Sequence, residues 1–599
     1  MTNNSMTDIL LINSADQGDL HHMADYPYGM ALIASYVRSE GYTASLVQYP
    51  AWDKETYRKH ILAEPALLYG FQVSFTNYPD IQELMAYIRE ITPSAKFILG
   101  GPFVVSMYEE ILKHDPNIDA AVLGEGEYTV LDIIKALKEG REDWKLIQGL
   151  AWRNEEGEIV MNPHRKAIAD MNAMPFAARD GLEGGDRDIN GNFMHDVRIT
   201  TSRGCTSDCT FCAVNVNSKW QRASRWRGRD PINVVDEIEE LVEKYNVKMI
   251  NLQDSAFDDP GTLGPKRNRI FCNEIIKRGI EISMKAYFRA ESILDDAETI
   301  DLFKLYKEAG IDVVIVGAEA GSDEELEIYG KDATLEDNYR AFKVLEELDC
   351  FFPHFGFLMF GPYTDLDMLR KNIKFVYEAG LGWQYRTIWS FLYPTPGAAI
   401  YDRLKKEERL LPQKNFWDIP SYRFDRPDVL KLAQHYHRLR DIYPSLDGCP
   451  LLITAYNLIS RLKNKMNRKV AAGCASEFEE FQTVFHHTKN KLNELSYHGF
   501  SENLDRIEKD GVAADLMKNA ETYFGTVRDP LIADVQNAYS NMVKTIQDKG
   551  FGLGGLIFNM EHTVLEKCHD RMEEHNAVDE KSSDREWDVD SERILTMKE

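Results

Sequence analysis

Two arrays of short apolar runs alternating with amphipathic stretches fill about the first 400 residues, and this alternation constrains the fold more than any other feature. In the first array, strand patterns lie at 8–13, 43–47, 66–71, 96–99 and 119–123, with helical patterns at 30–39, 80–91, 105–114 and 128–138. Five strands separated by helices predict a doubly wound parallel sheet of Rossmann-like form, in an α/β protein. Ligands of such sheets bind at the carboxyl ends of the strands. Here those ends meet turns of small residues: Ser74-Phe75-Thr76-Asn77, Gly100-Gly101-Pro102 and Gly124-Glu125-Gly126-Glu127.

The second array has strand patterns at 197–201, 248–252, 282–288, 312–317, 354–360 and 386–391. Val234, Val235, Ile238, Leu241 and Val242 give one helix between them an apolar stripe at helical spacing. Six strand–helix units over about 195 residues predict a partial (β/α)6 barrel with its chemistry at the carboxyl-terminal strand ends. The domain boundaries follow: 1–145 for the sheet, 146–195 for a linker with a hairpin, 196–401 for the barrel, and 402–568 for a mainly helical region. The tail, 569–599, carries eleven acidic and five basic residues and reads as disordered.

A formal net charge of -27 argues against nucleic acid or an anionic lipid surface as the main partner. A local basic cluster, from Lys219 to Arg229, is either a solvated loop or a seat for anionic groups of a cofactor or substrate. No apolar run approaches the roughly 20 residues that cross a bilayer. The first residues lack a basic stretch before an apolar one, so the expected location is cytoplasmic, with no membrane partner.

Three cysteines, Cys205, Cys209 and Cys212, follow the first strand of the second array with the spacing C-x3-C-x2-C. Three thiolates on one loop can hold three irons of a [4Fe–4S] cubane and leave the fourth open to a small molecule. A structural zinc site is the alternative, but zinc takes four ligands and no fourth Cys or His lies close in sequence. Phe211 precedes the third cysteine, where a ring can cover the cluster or a nucleoside.

The run Arg203-Gly204-Cys205-x3-Cys209-x-Phe211-Cys212 resembles the signature of the radical S-adenosylmethionine superfamily. The resemblance extends to Asp254-Ser255-Ala256-Phe257, to Arg289, to Gly317-Ala318-Glu319-Ala320-Gly321-Ser322, to Gly356–Gly361 and to Leu392-Tyr393-Pro394-Thr395-Pro396-Gly397, in the family's order. It implies that Cys205, Cys209 and Cys212 bind the cluster, and that Phe211, Asp254, Arg289, Gly317 and Glu319 contact S-adenosylmethionine. The first array resembles the cobalamin-binding-like domain of one large subgroup, through Tyr26-Pro27-Tyr28-Gly29, Leu99-Gly100-Gly101-Pro102 and Gly124-Glu125-Gly126-Glu127. That implies cobalamin as a third cofactor, contacted by Ser74, Gly100, Gly101 and Glu125. The loop Asp19-Leu20-His21-His22-Met23-Ala24 has Ala where the D-x-H-x-x-G pattern has Gly, which leaves His21 either a cobalt ligand or a plain loop residue.

The activity implied is methylation of an unactivated carbon or phosphorus centre of a small-molecule or peptide substrate, through a 5′-deoxyadenosyl radical and methylcobalamin. An electron donor such as flavodoxin or ferredoxin is the implied partner. The second reading is rearrangement or cyclisation on the same scaffold without methyl transfer. Transfer-RNA methylthiolation would ask for a second cluster in the first domain, and no cysteine precedes Cys205.

Overall fold

A computed structural model describes residues 6–14, 27–49, 54–141, 144–182, 187–221, 224–442, 450–510 and 527–557. His21 and the acidic tail lie outside the described residues.

The first array forms a sheet with strands β1 (Thr7–Ser14), β2 (Ala44–Tyr49), β3 (Ala66–Gln72), β4 (Lys96–Gly100) and β5 (Ala120–Val122). They are parallel in the order β2-β1-β3-β4-β5. Both faces are buried, because alternate residues feed two cores. Leu10, Ile12, Tyr69 and Phe97 point to one side, and Ile9, Leu11, Leu68 and Ile98 to the other. A helix not expected from the sequence, Lys54–Ala63, connects β2 to β3. The predicted linker hairpin is more than a linker. Its strands β6 (Leu150–Arg153) and β7 (Ile159–Met161) pair antiparallel onto β5 and complete a seven-stranded sheet.

The barrel contains five parallel strands: β8 (Asp196–Ile199), β11 (Met249–Leu252), β12 (Ser283–Arg289), β13 (Ile311–Glu319) and β14 (Phe352–Phe357). Strands β9 (Ser202–Gly204) and β10 (Trp226–Gly228) form a separate antiparallel ribbon just after β8. The expected sixth strand at 386–391 is corrected: Tyr385–Trp389 is a 3-10 turn, and a single parallel bridge, Phe360 to Phe391, holds the sixth position. Thr387 Oγ1 donates to the Gln384 carbonyl (2.7 Å) and Ser390 Oγ to that of Thr387 (2.8 Å). These local bonds favour a turn over a ladder.

The helices Pro427–Ile442, Pro450–Leu462, Ala475–Asp510 and Asp529–Asp548 share one apolar core with the barrel. Helix Pro450–Leu462 closes the amino-terminal end of the strands. Ser460 Oγ donates to the Asp312 carbonyl (2.8 Å), and Asn464 Nδ2 to Asp312 Oδ2 (2.8 Å). Lys307 completes the pairing of Asp312 at 2.6 Å. Trp383, 1% exposed, packs its ring on Phe352, Tyr456 and Phe485, so barrel and helices meet around it. Among the described residues no helix is long and apolar enough to cross a membrane.

Trp383→Ala removes the largest of these rings from a closed core. It is expected to cost about 3–5 kcal/mol, read as a lower thermal midpoint with faster hydrogen exchange in both barrel and helices. An unchanged midpoint would mean that the two are not packed around this ring.

Candidate active site

The cysteine loop leaves β9 and returns to β10, so the two-stranded ribbon sets its span. Trp226 faces Gly204, and Gly228 faces Ser202. Gly204 has φ +91°, and a Cβ there would run into the Arg225 carbonyl, so glycine is the residue this ribbon admits.

Beyond the ribbon the loop has no ladder, and side chains hold it instead. Asp259, 0% exposed, accepts from Thr206 N (2.9 Å) and Thr206 Oγ1 (2.6 Å). Arg289 grips the same carboxylate at 3.0 Å and donates to Thr206 Oγ1 (3.3 Å) and Ser207 Oγ (3.4 Å). On the far side, Thr210 N donates to the Tyr329 carbonyl (2.8 Å) and Phe211 meets the Tyr329 ring edge-on at 5.7 Å. Cys212 is the residue before helix Ala213–Trp220, and its N–H donates to the Cys209 carbonyl (3.3 Å).

All three cysteines are half-buried free thiols. Burial pushes Cys205 up to about 11, with Asp259 adding to the rise and Arg289 opposing it. Cys209 is pushed up to about 12 by burial, opposed by Lys331 and reinforced by Glu319, Cys212 and Cys205. Thiols that disfavour each other's ionisation are poor thiolates until a metal supplies the positive charge. This donor set fits a multi-iron cluster. Among the described residues no three His, Cys, Asp or Glu side chains converge on one metal-ion position, and in a cubane each thiolate takes a different iron.

Glu319 ends β13 in a left-handed conformation, φ +63°, at an irregularity in the β13–β14 pairing. Such a conformation in a non-glycine residue costs of order 1–3 kcal/mol and clusters at functional sites. The carboxylate lies over two glycines. A Cβ at Gly317 would sit 3.0 Å from Glu319 Oε1, and one at Gly356 would sit 3.4 Å from both oxygens. Burial raises the Glu319 carboxyl against the opposing charge of Lys331. Glu291 stands nearby with neither oxygen accepting a hydrogen bond, 3.5 Å from Arg289.

The expected contacts therefore divide. Gly317 and Glu319 face the cysteine loop together with Lys331. Arg289 reaches the loop, but its guanidinium is committed to Asp258, Asp259 and Glu291. Asp254 is an internal strut of the loop: buried, it accepts from Thr201 N (2.6 Å), Thr201 Oγ1 and Ser202 N (3.1 Å). Phe211 anchors the loop in a small apolar cluster with Tyr329 and Leu392. Lys331, Asp259 and Glu291 were not singled out from the sequence. Each arrives from a separate element, and no local motif marks it.

At the first sheet, Ser74 donates its N–H to Asn77 Oδ1 (2.7 Å), and Gly100 and Gly101 carry β4 into helix Pro102–His114. Glu125 ties the sheet to the barrel. Arg227 holds both of its oxygens (3.2 and 2.7 Å), Arg203 approaches at 3.0 Å, and Ile168 N donates at 2.7 Å. Arg203 also donates to buried Glu127 at 2.6 Å. Burial works against the Arg203 charge, and Glu127 and Glu125 more than offset it. Three arginines of the basic cluster are thus spent on carboxylates of this chain, since Arg227 holds Glu125, Arg229 pairs with Glu237 (2.5 Å) and Arg225 with Asp208. Past the cysteines, Gln221 packs against Gly124, while Trp220 meets His164 at 4.2 Å. Helix Ala213–Trp220 so lies between the carboxyl edge of the sheet and the barrel mouth.

Two families match these two halves. Residues 24–134 match the B12 binding domain, and residues 199–376 match the Radical SAM superfamily. The chain carries a B12 binding domain and a Radical SAM domain. Its cofactors are a [4Fe–4S] cluster, S-adenosylmethionine and cobalamin. The anaerobic magnesium-protoporphyrin IX monomethyl ester cyclase of Rubrivivax gelatinosus is 26% identical over 467 residues, 76% of this chain and 78% of that protein. The cytidylyl-2-hydroxyethylphosphonate methyltransferase of Streptomyces wedmorensis is 24% identical over 41% of this chain and 54% of that protein. Among solved structures, the cobalamin-dependent S-adenosylmethionine radical enzyme OxsB has the same fold, with a TM-score of 0.65 and 17% identity over 95% of this chain and 84% of that one.

Two outcomes follow from this site. Gly204→Ala should open the ribbon and lower the iron and sulfide bound on anaerobic reconstitution, while the first sheet stays folded. Arg203→Met should leave buried Glu127 without its cation, while Glu125 keeps Arg227, at a cost of about 3–5 kcal/mol, seen as faster hydrogen exchange across the domain joint. The joint also carries a pH signature. Burial raises the Glu125 carboxyl, but the hydrogen bond from Arg227 and the charge of Arg203 hold it below its ordinary range. Its contribution is complete above the unfolded carboxylate pKa and is lost as pH falls through the lower folded value. Glu125→Gln should flatten the loss of stability in that acid window.

Proposed function

We propose that this enzyme methylates an unactivated carbon or phosphorus centre of a small-molecule or peptide substrate held at the barrel mouth. The observation that carries the reading is the place of helix Ala213–Trp220, between the sheet edge and the cysteine loop. Groups bound on its two sides would be neighbours. When bound, the three cofactors supply a radical that removes hydrogen and a methyl group to replace it.

In this reading Cys205, Cys209 and Cys212 hold the iron. Asp259 and Arg289 fix the loop that carries them, acting through Thr206 and Ser207. Glu319 accepts from donors of the bound nucleotide over the room left by Gly317 and Gly356, and Lys331 balances its charge. Glu291 offers two unused acceptor oxygens to a cationic group. Ser74, Gly100 and Gly101 line the corrin's side of the helix. The work of these residues is to orient reactants and exclude water. A reductant of the flavodoxin or ferredoxin type supplies the electron.

A second reading is favoured by the Rubrivivax relative, a cyclase whose similarity covers most of the chain. It is ring formation or rearrangement on the same scaffold. Product analysis separates the two. Methyl transfer raises the substrate mass by one methyl group and yields S-adenosylhomocysteine beside 5′-deoxyadenosine, whereas the second reading gives no methyl gain. Cys209→Ala should abolish 5′-deoxyadenosine with far-ultraviolet circular dichroism unchanged. Normal output from that variant would refute the iron-ligand assignment.

A further inference from the structure

Inside the barrel, a cavity of about 370 Å³ runs from the strand starts up to Gly356. Its size falls in the range of small-molecule sites. Residues two apart on three neighbouring strands line it: Lys285 and Tyr287 on β12, Val313 and Ile315 on β13, His354 and Gly356 on β14. That spacing turns them to one face of the sheet, the lumen. Helix Pro450–Leu462 supplies the floor through Ile453, Asn457 and Arg461, four residues apart and so on one side of the helix. Ser460 Oγ fixes this helix to the start of β13 by its bond to the Asp312 carbonyl (2.8 Å).

The charged groups of the lining are engaged with the protein. Lys285 stands 3.7 Å from Asp196, and Arg461 donates Nη1 to the Leu556 carbonyl (2.8 Å). His354 Nδ1 lies 2.8 Å from Gln384 Oε1. Asn457 differs. It is 8% exposed, and its Oδ1 has no hydrogen-bond partner among the described residues. The unused capacity of this wall is thus that of a neutral amide, beside a hydroxyl from Tyr287 and apolar surface from Val313, Ile315 and Ile453. We propose that this cavity binds one small uncharged molecule, with an apolar body and an N–H or O–H donor directed at Asn457 Oδ1. A charged head would leave water to meet pairs that are already made, and a buried charge without a partner of its own is costly. The site does not depend on the reaction proposed above. It holds for methyl transfer and for ring formation alike.

The test is titration of the full-length protein with phenylacetamide, phenylacetate and 2-phenylethylamine, one apolar body with three heads, followed by ligand-observed NMR. Phenylacetamide should bind at a single saturable site, with the acid and the amine about tenfold weaker or more. Asn457→Leu keeps the size of the side chain and removes the acceptor. It should weaken phenylacetamide by about fivefold or more, while ethylbenzene, which has no donor, binds the variant no more weakly than the wild type. Ile453→Trp fills the cavity from the helix side and should abolish phenylacetamide binding, which covers the case in which Asn457→Leu does not fold. A cavity that takes water alone would show no saturable binding of the amide. That result would overturn the proposal. So would a charged analogue bound as tightly as the amide, unchanged amide affinity or an equal loss of amide and ethylbenzene in folded Asn457→Leu, or amide binding retained by folded Ile453→Trp.

Discussion

One buried carboxylate organises the mouth of this barrel. Asp259 sits with no solvent contact and holds the first cysteine turn by two bonds to Thr206, while Arg289 clamps it from β12. A loop of three cysteines has little regular structure of its own, and thiols repel one another's charge. Without such a clamp it would lose its shape to chain entropy. A charge this deep is tolerable only when paired and hydrogen-bonded. The need for that pairing explains why Arg289 is turned toward protein carboxylates.

The same economy of charge appears at the domain joint. The chain is strongly acidic, yet Arg203, Arg227 and Arg229 turn inward onto Glu127, Glu125 and Glu237. Glu125 and Glu127, at the carboxyl edge of the sheet, fasten it to the barrel through Arg203 and Arg227. The lower end of the barrel is secured differently, by apolar packing around Trp383 and by the Asp312 cluster. Polar fasteners near the cofactors and an apolar seam at the floor are consistent with where each end needs definition or bulk.

Much of the architecture was legible because burial on both faces leaves near-continuous apolar runs. The five parallel strands of the first sheet and the five regular strands of the barrel lie where those runs predict. The sixth barrel position was misread, because Thr387 and Ser390 cap a turn that apolar neighbours disguise as a strand. Helix Lys54–Ala63 escaped notice because its residues are mostly polar. The cysteines announce themselves by spacing. Asp254 and Glu125 sit in suggestive motifs but have their oxygens filled by bonds that only the folded chain reveals. Lys331 and Glu291 carry no local signal, since proximity between strand ends is a tertiary fact.

Arg203 lies two residues before Cys205 and ends on two carboxylates of the preceding domain. Synthesis runs from the amino terminus, so the sheet emerges from the ribosome and can fold before the ribbon exists. When Arg203 appears, its partners are already in place to receive it. The ribbon that sets the span of the cysteine loop is then tied to a contact outside itself. A chain whose amino-terminal half misfolds offers Arg203 neither carboxylate, and the ribbon ahead of the thiols loses its tie to the sheet.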